Sequence, residues 1–185
     1  MTDVVPRWPE GWSISQVGYG DPEVALLVEQ VQAFYVERYG GPDETPLDPL
    51  MFQPPHGSFF IGHLDGTPVA TGAWRRTSAA VVPGLPSDAP LAEVKRMFVV
   101  PAAQRRGLAR LVLAHLERTA AEAGVRALVL ETGAAQPEAI ALYTSSGYEP
   151  VPGFGHYRES PLSRCFGKVL QIPPVDGVPP GPARR

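Results

Sequence analysis

The sequence predicts a mixed α/β domain, and three observations carry that expectation. Strand-like and helix-like stretches alternate in the order β-α-(α)-β-β-β-α-β-α-β-β. Two stretches, Val24 to Tyr35 and Leu108 to Ala120, repeat apolar residues at helical spacing. Ala127 to Glu131 is a continuous apolar run, which suits a strand covered on both faces.

Each element has a local reason. Trp12 to Val17 alternates apolar and polar residues, a short strand. Asp21-Pro22 opens a helix, because Asp caps free N–H groups and Pro suits the first helical position. Val24, Leu27, Val28, Val31, Phe34 and Tyr35 form its apolar face, and Gly40-Gly41 stops it. A proline-rich connection follows to Gly57, with room for one helical turn near Leu47 to Phe52. Ser58 to His63 and Thr67 to Arg75 are strands joined by Leu64-Asp65-Gly66, a hairpin signal. After a loop rich in small residues and proline, Ala92 to Val100 is the fourth strand, closed by Pro101. Gly107 to Ala123 is an amphipathic helix, and Ala127 to Glu131 is the fifth strand. Pro137 to Ser146 is a short helix ended by Gly147, and Tyr148 to Val151 and Ser163 to Leu170 complete the sheet.

Length and composition bound the function. At 185 residues, with 44% hydrophobic and 19% charged residues, the chain is one globular domain with tails. The proline-rich ends, 1–10 and 171–185, read as flexible segments flanking a folded unit over 11–170. A single cysteine, Cys165, excludes an internal disulfide framework and a multi-cysteine zinc site. The net charge of −3 gives no basic footprint for nucleic acid. No apolar run is long enough to span a bilayer, and no secretory signal is seen, so a cytoplasmic protein is expected. The four histidines show no metal-ligand spacing, and no metal is expected.

The stretch that carries chemistry is Glu93 to Ala109: a strand, a short loop and a helix start. The first-turn N–H groups of a helix lack intrahelical partners and carry partial positive charge. Such a terminus binds phosphate. Gly107 and Ala109 keep the surface small, and Arg105 and Arg106 add charge. The same residue types equally describe a solvated basic corner with a glycine for packing.

Gln104-Arg105-Arg106-Gly107-Leu108-Ala109 resembles the (Arg/Gln)-x-x-Gly-x-(Gly/Ala) signature of the GCN5-related N-acetyltransferase (GNAT) superfamily. Met97-Phe98-Val99-Val100-Pro101 is similar to that family's fourth strand. Ala139 to Tyr148 resembles its A-x-x-L-Y-x-x-x-G-(F/Y) segment. The resemblance is tight over Ala92 to Val151 and looser elsewhere. It implies a GNAT-like fold, a mixed, mostly antiparallel central sheet with helices on both faces. It also implies acetyl-coenzyme A (acetyl-CoA) as acetyl-donor cosubstrate. The loop amides of Gln104, Arg105, Arg106, Gly107, Leu108 and Ala109 would then grip the pyrophosphate. The backbone of Met97, Phe98 and Val99 would pair with the pantetheine arm where the fourth and fifth strands splay. Strand-four N–H groups would polarise the acetyl carbonyl.

By the same resemblance, Glu93, eleven positions before Gln104, is placed as general base, and Tyr143 as the acid that protonates the leaving thiolate. Without it, Glu93 reads as a solvent-facing strand residue paired with Lys95, and Tyr143 as a helix aromatic packed under the sheet. Gln136 stands where relatives often carry a cofactor-contacting Asn; it reads equally as a helix cap. Glu131 and Thr132, Arg75 or Arg76, and the loop holding Phe154, His156, Tyr157 and Arg158 are candidates for the acceptor side. Cys165 and the histidines read as structural or exposed.

The expected activity is an acyltransferase that moves an acetyl group to a primary amine of a small molecule, by direct attack in a ternary complex. Two other readings remain open: a protein Lys or N-terminal acetyltransferase, and an acyl-CoA-binding sensor without turnover. Trp12, Phe60 and Trp74 permit an apolar surface for a homodimer.

Overall fold

Proline, aspartate and glycine fix where the first elements start and stop. The structure, a computed structural model, describes residues 9–42 and 48–171. The expected tails therefore lie almost wholly outside the described residues, as does part of the connection after Gly41. β1 spans Trp12–Val17. The Asp21 side chain accepts from the Glu23 N–H and Pro22 fills the first turn, so α1 runs Pro22–Tyr39. Gly40 ends it at φ 78°, donating its N–H to the Val36 carbonyl. A single 3-10 turn, Pro49–Phe52, follows. β2 (Gly57–Leu64) and β3 (Thr67–Thr77) form the expected hairpin. Asp65 and Gly66 at its tip have φ of 51° and 77°, the pair of positive values that matches strand twist. Then come β4 (Leu91–Val99), α2 (Leu108–Glu122), β5 (Ala127–Gly133), α3 (Pro137–Ser145), β6 (Glu149–Pro150) and β7 (Ser163–Val169).

The seven strands lie in the order β1-β2-β3-β4-β5-β7-β6. Every neighbouring pair is antiparallel except β4 with β5. This is the mixed, mostly antiparallel sheet expected. β6 is shorter than the sequence suggests, because Pro150 has no N–H to extend the ladder.

Strand alternation sends side chains to two faces. Phe60, Trp74, Val94 and Leu128 pack with Val112, Leu113 and Leu116 of α2. Phe59, Ile61 and Ala73 pack on the opposite face with Val24 and Leu27 of α1. Further along that second face, Leu91, Ala127, Val129 and Cys165 gather with Phe154. Each fully buried Leu or Phe contributes about 1.5–3 kcal/mol. Trp12, Phe60 and Trp74 are buried in the chain's own core, so they supply no dimer surface. Among the described residues no helix is long and apolar enough to cross a membrane.

Candidate active site

The sheet parts at its centre. β4 and β5 pair only through Leu91–Ala127, Ala92–Leu128 and Glu93–Val129. Just beyond, β4 changes register against β3, with Lys95 facing Ala73 and Phe98 facing Thr71. Arg96 and Met97 thus share one place opposite Gly72. Arg96 takes φ 55°, and the Thr71 hydroxyl donates to its carbonyl at 2.7 Å. An extra residue in one strand bends it, and this bulge leaves the backbone of β4 without a partner on its β5 side.

The loop after β4 enters α2 with its amides bare. Gly107 is the N-cap at φ 78°, and no side chain caps the helix. Arg105 also has a positive φ, 60°. Among the described residues, no acceptor is found for the backbone N–H of Arg105, Arg106, Gly107, Leu108 or Ala109, whereas Arg110 and Leu111 both donate to the Gly107 carbonyl. No acidic residue sits in the first turn. Nothing lies within 4 Å of where a Gly107 Cβ would stand. Five consecutive donors at a positive helix end, open to solvent and free of carboxylates, suit a diphosphate. The Gln104 side chain turns back and donates to the Val99 carbonyl at 3.0 Å, bracing the loop against β4.

Loop, bulged strand and α3 enclose a cleft of about 660 Å³. Met97, Phe98, Val99, Gln104, Arg105, Gly107, Leu108, Ala109, Gln136 and Tyr143 all line it. Gln136 stands at the N-cap position of α3, but its side chain makes no capping bond. Arg106 faces a separate hollow of about 310 Å³, with Asp65 and Leu64 of the hairpin. Tyr143 is 7% exposed and packs edge-on against Tyr148, ring centroids 5.8 Å apart. Burial, with a smaller contribution from Tyr35, pushes its phenol well above the ordinary value of 10.0. Tyr143 therefore keeps its proton at neutral pH.

Glu93 does not line this cleft. It is not solvent-facing, as expected from the strand, but buried, 4% exposed, on the face of the sheet opposite α2. Its Oε2 accepts from Arg75 Nη2 at 2.8 Å and Nε at 3.0 Å, and its Oε1 meets Lys95 Nζ at 3.1 Å. The pairing with Lys95 follows from the period of the strand; that with Arg75 follows from register, since Arg75 lies directly across β3. Arg76 points away, donating to the Pro55 and Ala123 carbonyls. On β5, Glu131 accepts from the Ser163 hydroxyl at 2.6 Å. Phe154 is buried in the core. His156 and Tyr157 meet edge to face, ring centroids 4.6 Å apart, and His63 meets Glu23 at 2.9 Å. Among the described residues no three His, Cys, Asp or Glu side chains converge as a metal site requires.

Two features escaped the sequence reading, and a third, which residues of the first helix face the site, it left open. Val31, Phe34 and Tyr35 of α1 overhang the cleft. Arg38 of α1 donates through Nη1 and Nη2 to Glu138 of α3, at 2.9 and 3.0 Å, while its guanidinium lies 5.2 Å from the Phe34 ring centroid. Arg110 ties α2 to α3 through the Ser145 and Ser146 hydroxyls, at 2.8 and 3.2 Å. Only Arg110 had a local signal, being one turn into the helix that carries the loop.

Known proteins resemble this chain in sequence and fold. The model of the acetyltransferase (GNAT) family matches residues 28–148. An IAA acetyltransferase from Azospirillum brasilense is 33% identical over 147 residues, 80% of this chain and 90% of its own. A solved Klebsiella pneumoniae structure, assigned as an acyl-CoA N-acyltransferase, is 28% identical with a TM-score of 0.68, covering 86% of this chain and 98% of that one. A GNAT acetyltransferase from Elizabethkingia anophelis, solved with acetyl-CoA bound, shares the fold at 13% identity, TM-score 0.58, covering 87% and 99%.

Proposed function

Because the chain belongs to the GNAT acetyltransferase family, we propose that it transfers the acetyl group of acetyl-CoA to a primary amine of a small molecule, by direct attack in a ternary complex. One observation carries this reading: the unpaired backbone donors of Arg105, Gly107, Leu108 and Ala109 open on the same cleft as a protonated Tyr143. The relative named IAA acetyltransferase supports a small-molecule acceptor.

When bound, acetyl-CoA supplies an activated thioester carbonyl. The residues present fit it. The amides of Arg105 to Ala109 hold its diphosphate, helped by the Arg105 charge. Arg106 stands at the outer side of the loop. The backbone of Met97, Phe98 and Val99 offers an open strand edge to the pantetheine amides. An N–H on that edge polarises the carbonyl, in a cleft where α1 limits water. Gln136 adds a side-chain donor and acceptor at the α3 end. The Tyr143 hydroxyl holds the proton that the departing sulfur takes as the C–S bond breaks. Glu93 stands at the last β4–β5 pair before the gap, which supports a place beside the acceptor. Two cations already occupy its oxygens, which favours its holding them in position over taking the substrate's proton.

Calorimetry with acetyl-CoA, followed by thiol release with a panel of amines, tests the reading. Binding and amine-dependent thiol release are expected, with intersecting initial-rate lines. Binding without release from any amine would leave a sensor; no binding removes the proposal.

A further inference from the structure

The gap between β4 and β5 has one cationic lip and one anionic lip. On β4, Lys95 is the last residue before the bulge and lies on the Glu93 face, with Arg75 beside it across β3. Two cations share one carboxylate there, so this lip keeps an excess positive charge. The Lys95 and Arg75 side chains are 18% and 20% exposed against 5% for Glu93, so the cations, not the carboxylate, meet solvent. On β5, Glu131 lies two residues beyond Val129, the partner of Glu93, and therefore on the same face. Had pairing continued, Lys95 and Glu131 would be direct neighbours. Paired strands lie about 4.8 Å apart, and Lys95 and Glu131 stand on the same face of the sheet at the place where that spacing opens. The β6–β7 loop approaches from above, with a Gly155 Cβ position 3.6 Å from Glu131 Oε2.

We infer that the acceptor is a small zwitterion, an amine bearing its own carboxylate a few bonds away, bound across this gap; the inference rests on the transferase reading above. Its carboxylate sits on Lys95, and Arg75, whose Nε and Nη2 are held by Glu93 and whose Nη1 lies against Met51 Sδ at 2.8 Å, adds positive charge beside it. Its ammonium sits on Glu131. The ammonium passes one proton to Glu131, and the neutral nitrogen forms the N–C bond as the C–S bond breaks. The sulfur leaves with the Tyr143 proton, the second proton of the acylated nitrogen passes through water to Tyr143, and Glu131 gives its proton to solvent, so one proton is released per turnover. Glu131 is then a catalytic residue, and Glu93 a positioning residue. A simple amine without a carboxylate leaves the cationic lip unmatched and is disfavoured.

Steady-state kinetics on free amino acids, each compared with its carboxamide and its decarboxylated amine, tests this. The best amino acid is expected to exceed its carboxamide in kcat/KM by about tenfold or more. Lys95→Met should collapse that ratio to about threefold or less, chiefly through KM, and Lys95→Arg should restore part of it. Acetyl-CoA affinity by calorimetry should stay unchanged in both. Glu131→Gln should lower kcat and alter the acidic limb of its pH profile. Carboxamides or plain amines acetylated as well as amino acids, or an intact ratio in Lys95→Met, overturn the inference and leave the transferase reading standing. Thiol release from no amine at all overturns both.

Discussion

The two sides of the β4–β5 gap are built from different material. The loop from Gln104 to Ala109 presents backbone N–H groups from one short stretch of chain. The opposite face presents side chains brought from β3, β4, β5 and β7. A backbone site needs only the right local conformation, so most substitutions within it alter charge but not geometry. A side-chain site needs each residue, so it can change its ligand with single substitutions. A backbone site therefore tolerates sequence change that a side-chain site does not.

Substitutions can break or sharpen that contrast, and the largest effect is expected at Tyr143, where both sides meet. Tyr143→Phe removes the proton held for the sulfur and should lower kcat about 10²–10⁴-fold, with acetyl-CoA affinity by calorimetry unchanged. Next comes Glu93→Ala, which strands two half-buried cations. It should cost about 3 kcal/mol, seen as a fall of several degrees in Tm, where no backbone-side substitution should. Glu93→Gln separates the two roles open to this residue. A positioning role predicts a raised KM for the acceptor with the shape of the pH profile kept; loss of the acidic limb instead marks Glu93 as the base.

Glycines sharpen the comparison further. Gly107→Ala forces a side chain into a positive φ and puts a methyl where the diphosphate would lie, so donor affinity should fall about tenfold by calorimetry. At Gly72 a Cβ would stand 2.5 Å from Val112 Cγ1. Gly72→Ala should lower Tm by crowding the core under α2, an effect of packing. Glu138→Ala should cost under about 1 kcal/mol, since its pair with Arg38 is exposed, yet quicken donor association if that pair fastens the cleft.

The smallest effect concerns pH. Tyr143 and Tyr148 are both held above their ordinary value of 10.0, chiefly by burial. Folded, they stay protonated where the unfolded chain has begun to ionise. Their contribution to stability is whole below about pH 10 and is lost as pH rises from there through the raised folded values. Urea midpoints measured from pH 8 to 11 should fall only above about pH 10.

How much of this was legible follows the same division. The loop could be read because glycine, small residues and helix starts are local signals; Gly107, Ala109 and the helix after them stand as expected. Asp21-Pro22 and Asp65-Gly66 marked their elements for the same reason. The Glu93–Lys95 pair was legible from strand period alone. The second cation on Glu93 was not, because Arg75 reaches it by cross-strand register, which depends on the hairpin and the bulge together. Nor could Val31, Phe34 and Tyr35 be placed over the cleft, since their helical spacing marks an apolar face without saying what it covers. The Arg38–Glu138 pair joins residues 100 positions apart, and no periodicity reaches that far.

The bulge at Arg96 has a consequence for handling the protein. It turns half of a central strand into an edge in the middle of the sheet, and unpaired edges recruit other chains. The backbone of Met97 and Phe98 on this edge is the place where self-association is expected to start. A CoA thioester in the storage buffer should slow clouding on concentration and protect these amides from hydrogen exchange, while leaving the β1–β2 ladder unchanged.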